Sequence, residues 1–123
     1  MENDQICGII KGVPRKENGM AVLKSIHNVK IWVDDIRPVP VGYEGTKSVN
    51  ETKALIEQIE SAGGSIDLID LDHDLGDYAA YGGDAIKILD YLVERETFYP
   101  IAIHTANPVG RANMERMIRR FWP

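Results

Sequence analysis

Along most of the chain, short apolar runs alternate with stretches whose apolar residues recur at helical spacing. Val29–Val33 reads as a strand, Ile66–Leu71 as a second long one and Pro100–Ile103 as a short buried one, with Thr46–Val49 a candidate edge strand. Between them the period lengthens to that of a helix. The first helix is expected from Asn50, an N-cap type with Glu51 in the first turn, placing Leu55, Ile59 and Ala62 on one face before Gly63-Gly64 stops it. A second follows Gly82-Gly83, with Ala85, Ile86, Leu89, Leu92 and Val93 as its stripe. A third opens on Asn107 with Pro108 at the first helical position, and buries Met114, Met117, Ile118 and Phe121. Strands alternating with helices predict a parallel α/β sheet, here a three-layer domain over residues 29–123.

Residues 1–28 break the rhythm. Two apolar runs, Gln5–Val13 and Met20–Ile26, flank Pro14-Arg15-Lys16-Glu17-Asn18-Gly19. The Asn-Gly pair suits a β-hairpin turn, while Ile6, Ile9, Val22 and Leu23 equally suit an extension docked on the main body.

Composition narrows the function classes. With 123 residues, 14 Lys+Arg against 19 Asp+Glu and a net charge of -5, the chain is one domain that would repel a long polyanion by bulk charge. Short anions are still compatible, where positive charge is local. Cys7 is the single cysteine, which excludes an intramolecular disulfide and suits a reducing cytoplasm. No apolar run reaches a membrane span and no signal peptide opens the chain, so no membrane partner is expected.

The polar chemistry gathers where ligands of open parallel sheets bind, beyond the carboxyl ends of the strands. One strand finishes in Asp34-Asp35 with Arg37 close behind, the next in Asp72-His73-Asp74, and the third in His104-Thr105 followed by Asn107. Carboxylates brought together from separate strands repel unless a cation neutralises them. A hard divalent ion, magnesium or manganese, held by Asp34, Asp35 and Asp72 with Asp74 as a further candidate, meets that need and would recruit phosphate oxygens. His73 and His104 are candidates for acid/base or ligand roles. Asn107-Pro108-Val109-Gly110-Arg111 offers backbone amides and a guanidinium at a helix start, an anion site to which Arg37 and Arg111 would contribute. Asp70-x-Asp72-x-Asp74 is not a calcium loop, because Leu75 and Tyr81 stand where glycine and glutamate are required. Asp70 is expected to face away from the site, and His27 has no assigned role. Arg116, Arg119 and Arg120 read as a solvated helix face.

Asp34-Asp35, Asp72 and Thr105 at successive strand ends resemble the receiver domain of response regulators, in which the acidic pair binds magnesium, the middle aspartate accepts phosphate and the threonine senses it. The segments Asp34-Asp35-Ile36-Arg37-Pro38, Leu71-Asp72-His73-Asp74-Leu75-Gly76, Gly83-Asp84 and His104-Thr105-Ala106-Asn107-Pro108-Val109-Gly110 through Met114 are more specifically similar to the cyclic-phosphate processing receiver domain family, over about residues 29–121. The resemblance implies a receiver-like, flavodoxin-type sheet of order 2-1-3-4 that lacks the fifth strand, leaving an edge free for a homodimer or for the amino-terminal hairpin. It implies metal-dependent processing of a cyclic phosphate, such as an RNA 2',3'-cyclic end or a phosphorylated small molecule. Asp72, His73 and His104 would then be catalytic, and Arg37, Thr105, Asn107, Gly110, Arg111 and Asn113 would bind substrate. Two rivals stand beside this: a signalling module phosphorylated on Asp72, and a domain that binds phosphate or nucleotide without turnover.

Overall fold

The computed structural model describes residues 16–17, 20–21, 23 and 25–123. Two short strands, β1 (Lys16–Glu17) and β2 (Met20–Ala21), pair antiparallel. The apolar run Gln5–Val13 lies outside the described residues. The main sheet comprises β3 (Val29–Val33), β4 (Glu44–Thr46), β5 (Ile66–Leu71) and β6 (Ile101–Ile103), parallel throughout and ordered β4-β3-β5-β6. Numbered from β3, that is the expected order 2-1-3-4.

Helix α1 (Val49–Ser61) follows β4, α2 (Ile86–Arg95) follows β5 after a 3-10 turn at Gly76–Ala80, and α3 (Pro108–Phe121) follows β6. The first helix starts earlier than its apolar spacing suggests. Ser48, not Asn50, is the cap: its Oγ accepts the Glu51 amide at 3.0 Å, while the Glu51 carboxylate accepts the Lys47 amide at 2.9 Å. This is a variant of the capping box, and it leaves Thr46 as the last residue of the edge strand and Val49 in the helix. Ser48→Ala is expected to cost about 1 kcal/mol, whereas Asn50→Ala at the exposed position should change stability by less than about 0.5 kcal/mol; urea unfolding midpoints compare the two.

Strand alternation decides the layering. Val29, Ile31 and Val33 of β3 and Ile69 and Leu71 of β5 join Ile56 and Ile59 of α1, Ile88, Leu89 and Leu92 of α2 and Met114 of α3 in one core. The opposite face carries Lys30, Trp32, Leu68, Asp70 and Ala102, all half-buried. No helix among the described residues covers that face, so the domain has two layers rather than three. The physical reason lies between β3 and β4, where Pro38, Pro40 and Gly42 preclude a helix and the chain folds back instead, with Val39 against Gly45 and Tyr43 edge-on to Trp32. Since no strand among the described residues pairs beyond β6, its residues are half-buried rather than buried.

Two helical faces also differ in detail from the expected stripes. Ile88 is buried on α2, where Ile86 and Val93 are only half-buried. Phe121 is 41% exposed, because α3 ends there and Trp122 turns back instead, donating its indole N–H to the Tyr99 carbonyl at 2.8 Å and packing edge-on to Phe98. No helix among the described residues is long and apolar enough to cross a membrane.

Candidate functional site

The period of two that separates core from open face also aims the site. Trp32 and Asp34 on and after β3, Asp70 and Asp72 on and after β5, and Ala102 and His104 on and after β6 share one parity, and the parallel register sets Trp32, Asp70 and Ala102 side by side. Asp34, Asp72 and His104 therefore leave the strand ends together.

Asp34 is the most enclosed group, with its side chain fully buried. Its Oδ1 accepts the backbone amides of Ile36 at 2.8 Å and Arg37 at 2.9 Å. Its Oδ2 lies 3.0 Å from Arg37 Nη1 and 2.9 Å from His104 Nε2. Burial pushes its pKa up, but the two amides, the guanidinium and the imidazole outweigh that and hold it down at about 2. Asp72 accepts the His73 amide on Oδ1 at 2.8 Å and Arg37 Nη1 on Oδ2 at 3.1 Å. One guanidinium nitrogen thus bridges carboxylates from two strands.

His104 is held from three sides. Its Nδ1 lies 2.7 Å from Asp70 Oδ1, its Nε2 faces Asp34, and its ring stacks on Trp32 with centroids 3.7 Å apart and planes 3° from parallel. Each ring nitrogen thus faces a carboxylate oxygen from a different strand. Sequence reasoning missed Asp70 and Trp32. Asp70 does not face away from the site, because it has the parity of Asp72, and that parity was the signal that could have found it. Both ring nitrogens face carboxylates, so the expected acid/base role of His104 would require one of these contacts to open.

A second cluster ties the loop after β5 to the start of α3. His73 Nδ1 lies 2.7 Å from Asp74 Oδ1, and Asn107 Nδ2 donates to both Asp74 oxygens at 3.2 Å. The bond to His73 is the largest influence on the Asp74 pKa and lowers it; burial raises it, and Asn107 lowers it further. Asn107 also caps α3, its Oδ1 accepting the Gly110 amide at 3.0 Å. Gly110 is buried against the face of the His73 imidazole, where a side chain has no room.

Asp35, Ile36, Arg37, Asp72, Asp74, Gly76, Thr105, Ala106 and Asn107 line a cleft of about 480 Å³. Of the expected site residues, Asp35, Arg37, Asp72, Asp74, Thr105 and Asn107 therefore share one cleft, but the anion site at α3 is narrower than its sequence implies. The Gly110 amide is taken by the cap, and Arg111 turns along β6, donating Nη2 to the Ile103 carbonyl at 3.1 Å with Nη1 3.5 Å from Glu115. Asn113 is exposed and accepts from Arg116, one turn along the helix. Neither Arg111 nor Asn113 lines the cleft, because their positions past the cap point away from the strand end that Asn107 faces.

Asp34, Asp35 and Asp72 offer one oxygen each, all within 4.8 Å of one another, and His73, Asp74 and Asp84 form a similar group. Three carboxylates from two strand ends make a hard, all-oxygen donor set that fits a magnesium-like ion. In the second group the Asp84 Oδ1 already accepts the Leu75 amide at 3.1 Å and His73 Nδ1 is engaged by Asp74, so its donors are partly committed to the loop.

A family model described as the cyclic-phosphate processing Receiver domain matches residues 29–120. The match begins on the first residue of β3 and takes in the whole parallel sheet, the cleft and nearly all of α3. No curated protein and no solved structure matches the chain.

Proposed function

The chain belongs to the cyclic-phosphate processing receiver domain family, and from that premise we propose that it is a divalent-metal-dependent phosphoesterase that opens a cyclic phosphate, such as the 2',3'-cyclic end of a cleaved RNA. The observation that carries this reading is the grouping of Asp34, Asp35 and Asp72, one oxygen from each within 4.8 Å of the others, behind a cleft that Asp35, Arg37 and Asp72 line. Asp34, Asp35 and Asp72 would hold the ion, which supplies Lewis-acid polarisation of the phosphoryl group and an activated water. Water adds to phosphorus, the bond to one ring oxygen breaks, and that oxygen leaves as a hydroxyl with a proton from solvent.

The protein side chains position the components. Arg37 is the cation that would meet the substrate anion, while Thr105 and Asn107 line the same cleft. His104, oriented by Asp70 and Trp32, fixes Asp34 against the cleft. His73 does the same for Asp74.

The test uses an oligonucleotide ending in a 2',3'-cyclic phosphate, incubated with magnesium or manganese or with a chelator. Conversion to a linear phosphate is expected with metal and not with chelator, and Asp72→Asn should slow it about a hundredfold. Conversion that survives chelation or is equal in the variant would sink the assignment. A signalling domain is favoured by one observation, that Asp72 and Thr105 share the cleft as a phosphoacceptor and its sensor would. Acetyl phosphate with magnesium would then add the mass of a phosphoryl group at Asp72, with no opening of the cyclic substrate. Both Asp72 oxygens are engaged, by Arg37 and by the His73 amide, so either reading requires one of these contacts to open.

A further inference from the structure

The cation between Asp34 and Asp72 is one of the protein's own. Arg37 Nη1 lies 3.0 Å from Asp34 Oδ2 and 3.1 Å from Asp72 Oδ2, whose side chains are fully buried and 10% exposed respectively. A divalent ion held by these carboxylates would compete with the guanidinium for their oxygens. Arg37, however, is built to move: its side chain is 44% exposed, while its backbone amide is pinned to Asp34 Oδ1 at 2.9 Å. The head can leave without the stem departing. Arg37 also lines both the acidic cleft and the larger groove beside β4, so a released guanidinium has solvent-filled room on either side of its present position.

We propose that Arg37 is a resident counter-cation that exchanges with the divalent ion, holding Asp34 and Asp72 together in the metal-free protein and swinging into the cleft as the ion enters. The exchange rests on the metal-dependent reading above. It gives Arg37 two positions with two duties, neutralising the carboxylates in one and meeting the substrate anion in the other. Its consequence is that substrate-binding positive charge becomes available only once the metal is in place. The displaced ion pair also weakens metal binding, because its contacts are lost when the ion arrives.

Manganese alone, titrated calorimetrically into the full chain without substrate, tests the exchange. Arg37→Gln removes the competitor and is expected to tighten manganese binding about tenfold, while Arg37→Lys, which keeps the charge, stays close to the wild type. Equal or weaker binding by Arg37→Gln, with the wild type still binding, would overturn the exchange and leave the metal reading intact. Absence of binding by both proteins would overturn the two together. The wild type provides a check that needs no variant. With diamagnetic magnesium, the Arg37 guanidinium protons, followed by nitrogen-15 NMR, should shift and exchange faster as the site fills. Guanidinium signals unmoved at saturating magnesium would count against exchange even if a variant failed to fold.

Discussion

Asp34→Ala is expected to lower folding stability by about 3 kcal/mol, an effect large for a residue at a strand end. The carboxylate serves two backbone amides, a guanidinium and an imidazole from a side chain that is fully buried. Deleting it leaves those donors facing one another across a small void. The cost stops short of the sum of four broken contacts because Arg37, with a side chain 44% exposed, can turn to water. Urea unfolding at neutral pH measures it, and a change of less than about 1 kcal/mol would mean that the loop after β3 does not depend on this carboxylate. The same contacts set an acid limb. The Asp34 pKa is about 2 in the folded protein against 3.8 ordinarily, so folding depends on its ionised form. Its contribution is present in full above the ordinary value and is lost as pH falls from near 3.8 toward 2. Asp34→Asn, which cannot ionise, should lose stability less steeply over that interval, and identical acid limbs would contradict the assigned contacts.

The strand order and the acidic rim can be read from the chain because both depend on local patterns. Ile66–Leu71 matches β5 to the residue, and Asn107-Pro108 opens α3 as its capping chemistry requires. The edge strand and α1 lie earlier than apolar spacing suggests because Ser48 and Glu51 satisfy each other's neighbourhood through side chains, a contact that such spacing does not encode. Layer number escapes the sequence for a related reason. Alternation between strands and helices says that helices follow strands, but not that they all return to the same face. Here the connection without a helix, from β3 to β4, leaves Lys30, Trp32 and Asp70 without a helical cover.

The site is legible in its acids and less so in its supports. Asp34, Asp35, Asp72, Asp74, Arg37, Thr105 and Asn107 stand out as polar residues that break apolar runs. Trp32 and Asp70 lie inside strands, where an aromatic residue reads as core and an isolated acid as surface. Their parity with Asp34 and Asp72 puts both on the site's face, and the register that sets Trp32 opposite Asp70 brings them together at His104. The surroundings of His104 are hidden for the same reason. A histidine at a strand end reads as free, whereas the fold sets both of its ring nitrogens against carboxylates. Arg111 misleads for the opposite reason: the residue type suits an anion, but its position on the helix carries it to the β6 edge.

Gly110→Ala is expected to be destabilising by about 1–2 kcal/mol, against the helix-propensity gain of about 1 kcal/mol that alanine would bring to an unhindered helical position. A β-carbon at Gly110 would lie 2.7 Å from His73 Nδ1 and 2.8 Å from its Cδ2. The obstacle is not the free end of a long side chain. The imidazole is rigid, close to its own backbone, and held at Nδ1 by Asp74, which Asn107 holds in turn. Relief must therefore come from moving α3 or from breaking the His73–Asp74 contact. Replacing His73 with alanine clears the space, so in that background Gly110→Ala should become stabilising, a reversal of sign that a simple loss of helix geometry would not produce. Unfolding free energies for the four members of this cycle measure the coupling; a Gly110→Ala effect of the same sign and size in both backgrounds would place the steric conflict elsewhere. Since the His73 amide also donates to Asp72, a ring forced aside by the added methyl group should disturb that carboxylate too, linking the packing of α3 to the lining of the cleft.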